Sequence, residues 1–449
     1  MRIFPLALLL KEKGHIPVVL LYSEKAGNLF ISNGICTEYL DTISKCCTNQ
    51  FTDLTDAFVK SELLNVEGLR RPEILWPSAI SKTIRSVKKT WNLINIIINK
   101  HKPDRVCIWN GYTGFVANCL RVIAQRKQIG AAYLERGLLR NSLFIDSQGT
   151  NGASRISKKI YDIPDEDGSI TIAKKLFELP DFWTPNKSSG REVVFVPMQV
   201  QHDTNILLYS KYRSMREFFL EVYNELNNDN RVFIVRPHPE EQQQYPLNIP
   251  RFDNVIVDAH DLLDNQIEKA DIVVTINSTV GLQALIKGKS VIANGDGIFR
   301  QLDCLSTFSD IRKTADIKEV NKLLAALVKY NLVFEDNPFN DIVLSNQLDI
   351  DADGKNTFSR APKLPFPTRN VKILIDFCFG VRLNLTYRKS SEKISLQYIE
   401  TILLQNNILS YEFVREQSEA NLIITDKPYS EIPLGIGKKV IDIYGVELN

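Results

Sequence analysis

The sequence predicts an α/β protein with two Rossmann-like domains facing a central cleft, followed by a small C-terminal α/β extension. Two observations predict it. The 449 residues exceed what one ordinary hydrophobic core organises, and strand-length apolar runs alternate with helix-length ones, the rhythm of parallel sheets. With 44% hydrophobic and 24% charged residues the composition is globular, which excludes disordered and fibrous classes. The 55 basic residues barely exceed the 53 acidic ones, so nucleic acid has no global electrostatic footprint and is not expected as a partner. Seven cysteines without a C-x-x-C pair read as reduced thiols. The apolar run Leu6 to Leu10 is interrupted by Lys11, Glu12 and Lys13, too short for a signal-peptide core or for a span of ~20 residues. A soluble cytoplasmic protein is expected.

In chain order, residues 4 to 13 read as a helix and Ile16 to Tyr22 as a buried strand, with Gly14 as the C-cap between them. The strand that usually opens such a unit is not visible ahead of them, so it is expected elsewhere in the chain or outside the sequence. A helix over Ile80 to Asn99 leads through Lys102-Pro103-Asp104 into the strand Arg105 to Trp109. Gly111 to Gly114 opens a helix through Arg126, and Gly130 turns the chain into the strand Ala131 to Leu134. This rhythm predicts a parallel sheet. Residues 150 to 190, rich in Gly, Ser, Asp, Pro and Lys, read as a connector, so the first domain is placed at 1–187.

The second domain, 188–340, repeats the pattern. Strands are predicted at 193–197, 232–235, 255–257, 272–276 and 290–293, and helices at 211–227, 262–269 and 280–287. Two such domains across a cleft make a GT-B-like arrangement. A helix at about 317 to 330 is expected to begin the segment that packs back on the first domain. A linker over 341–365 leads to 366–449, where strands near 371–377, 422–425 and 440–444 and a helix near 396–406 form either a third module or a completion of the first domain.

Polar turns after these strands carry the chemistry. Arg236-Pro237-His238-Pro239-Glu240 presents a guanidinium and an imidazole from a rigid turn, suited to charge-assisted hydrogen bonds with a phosphate. Asn277-Ser278-Thr279 starts a helix, whose N–H groups and hydroxyls seat an anion without metal; simple N-capping is the plainer reading. Asp203 follows Gln199 to His202 just beyond a strand, where it serves as nucleophile, general base or helix cap. Glu135 ends a strand of the first domain, either as the second carboxylate of a glycosyl-transfer pair or as a salt-bridge partner of Arg136 or Arg140. Other signals fail. Asp349 to Gly354 begins like a calcium loop but places Arg360 where a bidentate Glu is needed, and the five histidines show no metal-ligand spacing.

Together Trp109-Asn110-Gly111, Glu135 to Arg140, Gln199 to Asp203, Arg236 to Pro239 and Asn277 to Thr279 with Gly281 and Gly288 resemble the bacterial retaining β-Kdo transferases of capsule and lipopolysaccharide O-antigen assembly. The resemblance implies a GT-B fold, a CMP-Kdo donor on the second domain and a glycan acceptor, lipid-linked, on the first. It further implies Asp203 as the nucleophile of a covalent Kdo adduct and Glu135 as the base. His238, Arg236, Pro239, Glu240, Asn277, Ser278 and Thr279 would hold CMP; Gln199, Arg140 and Asn110 would meet the sugars. No cofactor or metal is expected. Such an enzyme would work in the cytoplasm, with room for peripheral association at the inner membrane. Arg136 stands where the capsule branch commonly has an acidic residue. Two other readings compete: an inverting nucleotide-sugar or polyol-phosphate transferase with Asp203 as base, and a non-catalytic glycan-binding module.

Overall fold

The computed structural model describes residues 3–21, 27–40, 54–75, 79–158, 162–183, 190–200, 203–212, 215–240, 252–312 and 314–350, and four further strands between 370 and 442. The α/β class is borne out. β1 (Val18–Leu21) and β2 (Cys36–Tyr39) form a two-stranded parallel sheet. β3 (Arg105–Trp109), β4 (Gly130–Arg136) and β5 (Leu143–Asp146) form the first lobe's main sheet, and β6 (Glu192–Pro197), β7 (Arg231–Arg236), β8 (Val255–Val257), β9 (Ile272–Thr275) and β10 (Ser290–Ala293) form the second lobe's.

The second sheet is fully parallel, in the order β10-β9-β6-β7-β8. β6, β9 and β10 are buried on both faces while the edge strand β8 exposes Ile256 and Val257, and the two-residue period of a strand divides the buried side chains between two cores. Phe195 and Val273 point into the core that holds Leu282, Leu285 and Leu324, while Val194, Val196 and Val274 point into the one that holds Phe218, Phe219 and Val222. Helix Met215–Leu226 thus covers one face and helices Thr279–Ile286 and Ile317–Tyr330 the other. This is a doubly wound sheet.

The first lobe departs from the predicted parallel sheet. β3 and β4 are parallel, but β5 runs antiparallel to β4. Only the short 137–142 turn separates them, closed by the Gly137 N–H donating to the Ser142 carbonyl at 3.1 Å, and a parallel return needs a crossover of a dozen residues or more. β11 (Leu332–Val333) then adds to β5 in antiparallel register, although it follows the second lobe in sequence. One face of β4, Ala131 and Tyr133, packs on Ile84, Val87, Trp91, Ile94 and Ile98 of helix Ile80–His101; the other face, Ala132 and Leu134, packs on Leu344 and Leu348 of helix Asn340–Leu348.

Two further elements differ from expectation. The stretch read as a connector holds helix Gly168–Leu176, whose Asp167 cap bonds to Ser169 N and whose Ala173 enters the shared core. The helix expected over 211–227 is found at Met215–Leu226, and a short helix that was not expected, Thr204–Tyr209, precedes it. β12 (Asn370–Asp376), β13 (Ser410–Phe413), β14 (Leu422–Thr425) and β15 (Lys439–Asp442) form their own parallel sheet, β13-β12-β14-β15, pairing only with one another among the described residues. Helix Asn340–Leu348 occupies the start of the linker expected over 341–365. The 188 boundary, the calcium-like loop beyond Ile350, the rest of that linker, the 396–406 helix and His202 lie outside the described residues. Among the described residues no helix is long and apolar enough to cross a membrane.

Candidate functional site

β6 is the pivot of the second sheet. From it the chain winds outward through β7 to β8 on one side and through β9 to β10 on the other. Such a reversal leaves a crevice beyond the carboxyl ends of the two strands at the switch, here β6 and β9. Asp203 follows β6, Ser278 follows β9 and His238 follows the neighbouring β7, so the structure gathers all three on one sheet edge.

Asp203 realises its plainer reading, and more. It is the N-cap of helix Thr204–Tyr209, with Oδ1 accepting from Asn205 N at 2.9 Å and from the Thr204 hydroxyl at 3.3 Å. Both bonds fall on Oδ1, which leaves Oδ2 without a partner among the described residues. The cap therefore fixes the carboxylate while keeping one oxygen available.

Ser278 caps helix Thr279–Ile286 in the same way, Oγ accepting from Val280 N at 3.3 Å, while its carbonyl takes Gly281 N–H at 2.9 Å. Thr279 is exposed at the tip, where the first N–H groups of a helix lack intrahelical partners and attract anions. The His238 imidazole is half-buried, and its Nδ1 accepts from the Glu240 amide at 3.2 Å. A neutral ring so held carries its proton on Nε2, a donor for phosphate. Pro239 and Glu240 are exposed.

Other expected ligand contacts are occupied within the protein. Arg236 Nη1 donates to the Asp261 carbonyl at 2.6 Å and to Gln266 Oε1 at 2.7 Å, which ties the end of β7 to helix Leu263–Lys269. Gln199 and Asn277, both buried, form a two-way amide clasp: Gln199 Nε2 donates to Asn277 Oδ1 at 3.0 Å, and Asn277 N donates to Gln199 Oε1 at 3.2 Å. Asn277 Nδ2 also reaches the carbonyls of Asn205 and Asp296 at 3.0 and 2.9 Å. The clasp locks the two strand ends of the switch point together. It positions Asp203 and Ser278 without presenting its own amides.

From the first lobe, Asn110 Nδ2 donates to Glu135 Oε2 at 3.0 Å and Arg136 N to Oε1 at 2.9 Å. Glu135 makes no ion pair with Arg136 or Arg140 among the described residues, and Arg140 is exposed. Asn110 has φ +56°, Gly111 follows with φ +83°, and a Cβ at Gly111 would come within 2.3 Å of the Tyr133 ring, so only glycine admits this turn. Tyr112, Tyr133 and Tyr209 lie buried within electrostatic reach of one another, a set that spacing did not reveal because they come from the turn after β3, from β4 and from helix Thr204–Tyr209 of the other lobe. Burial pushes the Tyr112 phenol up to about 12 and those of Tyr133 and Tyr209 higher still. The described residues also bring Cys36, Glu38 and His101 together, which histidine spacing did not show, but Glu38 Oε1 is already held by Lys100 and His101 at 2.6 Å each.

Residues 171–302 match the model of the family described as "Capsule polysaccharide biosynthesis protein". Protein FixF of Sinorhizobium fredii (strain NBRC 101917 / NGR234) is 33% identical over 120 residues, 26% of this chain and 30% of that protein, so the match spans under a third of either. Among solved structures, the beta Kdo 2,4 transferase of Thermosulfurimonas dismutans KpsC aligns at 15% identity over 70% of this chain and 90% of that one, TM-score 0.42. The beta Kdo 2,7 transferase of the same protein aligns at 19% identity over 54% and 81%, TM-score 0.38. A UDP-GlcNAc 2-epimerase of Neisseria meningitidis aligns at 11% identity over 65% and 78%, TM-score 0.23.

Proposed function

We propose, on the premise that residues 171–302 carry the capsule polysaccharide biosynthesis pattern, that the chain is a retaining glycosyltransferase moving Kdo from CMP-β-Kdo to a glycan acceptor on a lipid carrier. The observation that carries this reading is the Asp203 carboxylate, held at the switch point by its cap with Oδ2 unengaged. In the first step Oδ2 attacks the anomeric carbon, and CMP departs with the bonding electron pair. In the second, Glu135 takes the proton from an acceptor hydroxyl, whose oxygen displaces Asp203 from the same carbon. Two inversions give net retention. His238 Nε2–H, the Ser278 hydroxyl and the start of helix Thr279–Ile286 meet the charge on the departing phosphate, so this reading assigns no step to a metal.

The test is intact-mass analysis after incubation with CMP-Kdo. The wild type is expected to gain a Kdo-sized adduct. Asp203→Asn is expected to lose both adduct and transfer while keeping its thermal midpoint, because Asn caps a helix as well as Asp does. Transfer that survives in Asp203→Asn overturns the reading, and a product of inverted anomeric configuration by NMR assigns Asp203 as a base instead.

A further inference from the structure

A cluster of buried polar groups drawn from both lobes takes no part in the reaction above. The hydroxyls of Tyr112, Tyr133 and Tyr209 are buried and have no hydrogen-bond partner among the described residues, and the same holds for Asn110 Oδ1, Asn205 Oδ1 and Arg121 Nε. The three tyrosines are 1%, 0% and 8% exposed and Arg121 is 4% exposed. Buried polar atoms are nearly always paired, so the four on Tyr112, Tyr133, Tyr209 and Arg121, which lie close to one another, mark a place where a partner from outside the protein belongs.

The neighbourhood joins both lobes. Tyr112 and Tyr133 stack with centroids 5.9 Å apart, and the Arg121 guanidinium lies 5.5 Å from the Tyr112 ring centroid. Tyr209 comes from the helix that Asp203 caps, and a Cβ at Gly152 of the first lobe would sit 2.8 Å from its ring. Tyr112 and Tyr133 both oppose ionisation of Tyr209, which places the three phenols within electrostatic reach of one another. Arg121 Nη2 donates only to the Asn118 amide oxygen at 3.3 Å, so this buried cation has no carboxylate partner among the described residues. An uncompensated buried charge is costly and favours an anionic guest.

We propose that Tyr112, Tyr133, Tyr209 and Arg121 form the sugar-recognition floor of the cleft, specific for a hydroxyl-rich sugar that bears a carboxylate. The assignment rests on the donor reading above and deepens it: the nucleotide is held at the second sheet's edge, and the sugar acid at the junction. Arg121 takes the carboxylate, and the phenols pair with the hydroxyls.

Calorimetric titration of the full chain with CMP and with CMP-Kdo tests this. Tyr133→Phe and Tyr209→Phe are expected to weaken CMP-Kdo about 5- to 10-fold each, the effect of one lost hydrogen bond, and Arg121→Gln more than 10-fold, with CMP affinity unchanged. Both Tyr→Phe variants should melt at or above the wild-type temperature, since removing an unpaired buried hydroxyl is neutral or stabilising. If CMP-Kdo affinity is unmoved, or CMP weakens in parallel, or the Tyr→Phe variants melt lower, the hydroxyls serve the fold and the inference is overturned. Failure of the donor reading is visible separately, as a wild-type protein that binds neither ligand, and it removes the inference with it.

Discussion

Asp146 is wholly buried at the end of β5, where its carboxylate accepts N–H groups from Gln148, Gly149 and Arg155 and the Asn331 amide. Burial dominates over these donors and lifts its pKa from 3.8 to about 6. The folded state therefore holds the proton more tightly than the unfolded chain. Stability from this group is full below about pH 4 and is lost as pH rises to about 6, by at most ~3 kcal/mol for two units. Urea unfolding of wild type and Asp146→Asn across that window should show a difference curve falling with pH; a flat difference would contradict the assignment. At this scale the sequence was legible where a residue's chemistry depends on its own turn. Sequence alone places Asp203, His238 and Ser278 just after strands, and the structure has them after β6, β7 and β9. Gln199 and Arg236 bond instead to Asn277 and Gln266, 78 and 30 residues away, pairings beyond what local pattern reports.

Elements were legible where one periodicity ruled a segment. The apolar runs of β6, β9 and β10 are buried on both faces and that of β7 on one, and their positions match the predicted strands closely. The Gly168–Leu176 helix was hidden by its Gly-Ser start and lysine-rich face, whose stability comes from packing on helix Ile317–Tyr330 rather than from propensity. The helix after β9 offers a test that separates capping from anion binding. Ser278→Ala should cost about 1 kcal/mol in chemical unfolding through loss of the cap. Ser278→Asp should keep that stability, because Asp caps equally well, yet weaken CMP binding at least tenfold by setting a carboxylate against a phosphate. Equal CMP affinity in Ser278→Asp would place the nucleotide elsewhere.

The two lobes share one core, in which Phe144, Ile156 and Ala173 meet Phe195, Leu285 and Leu324. Asn331 is the polar pin of this junction: buried, its Nδ2 donates to the Ile145 carbonyl at 2.9 Å and to Asp146, while its own carbonyl accepts Ile145 N–H at 2.8 Å. Asn331→Ala strands buried acceptors on β5 and should cost about 2 kcal/mol. Hydrogen exchange should show β4 and β9 losing protection together; loss confined to β4 would mean that the lobes unfold independently. The helix at 317–330 is legible as the start of a segment that returns to the first lobe, but the strand that makes the return is not, because β11 is two residues long and its pairing with β5 leaves no periodic trace. That pairing has a consequence for synthesis. Leu332 pairs with Phe144 across 332 − 144 = 188 residues, so the first lobe's sheet stays incomplete until the whole second lobe has left the ribosome. Such distant closure slows folding and exposes the unpaired edge of β5 meanwhile. The lobe made first is the one that finishes last.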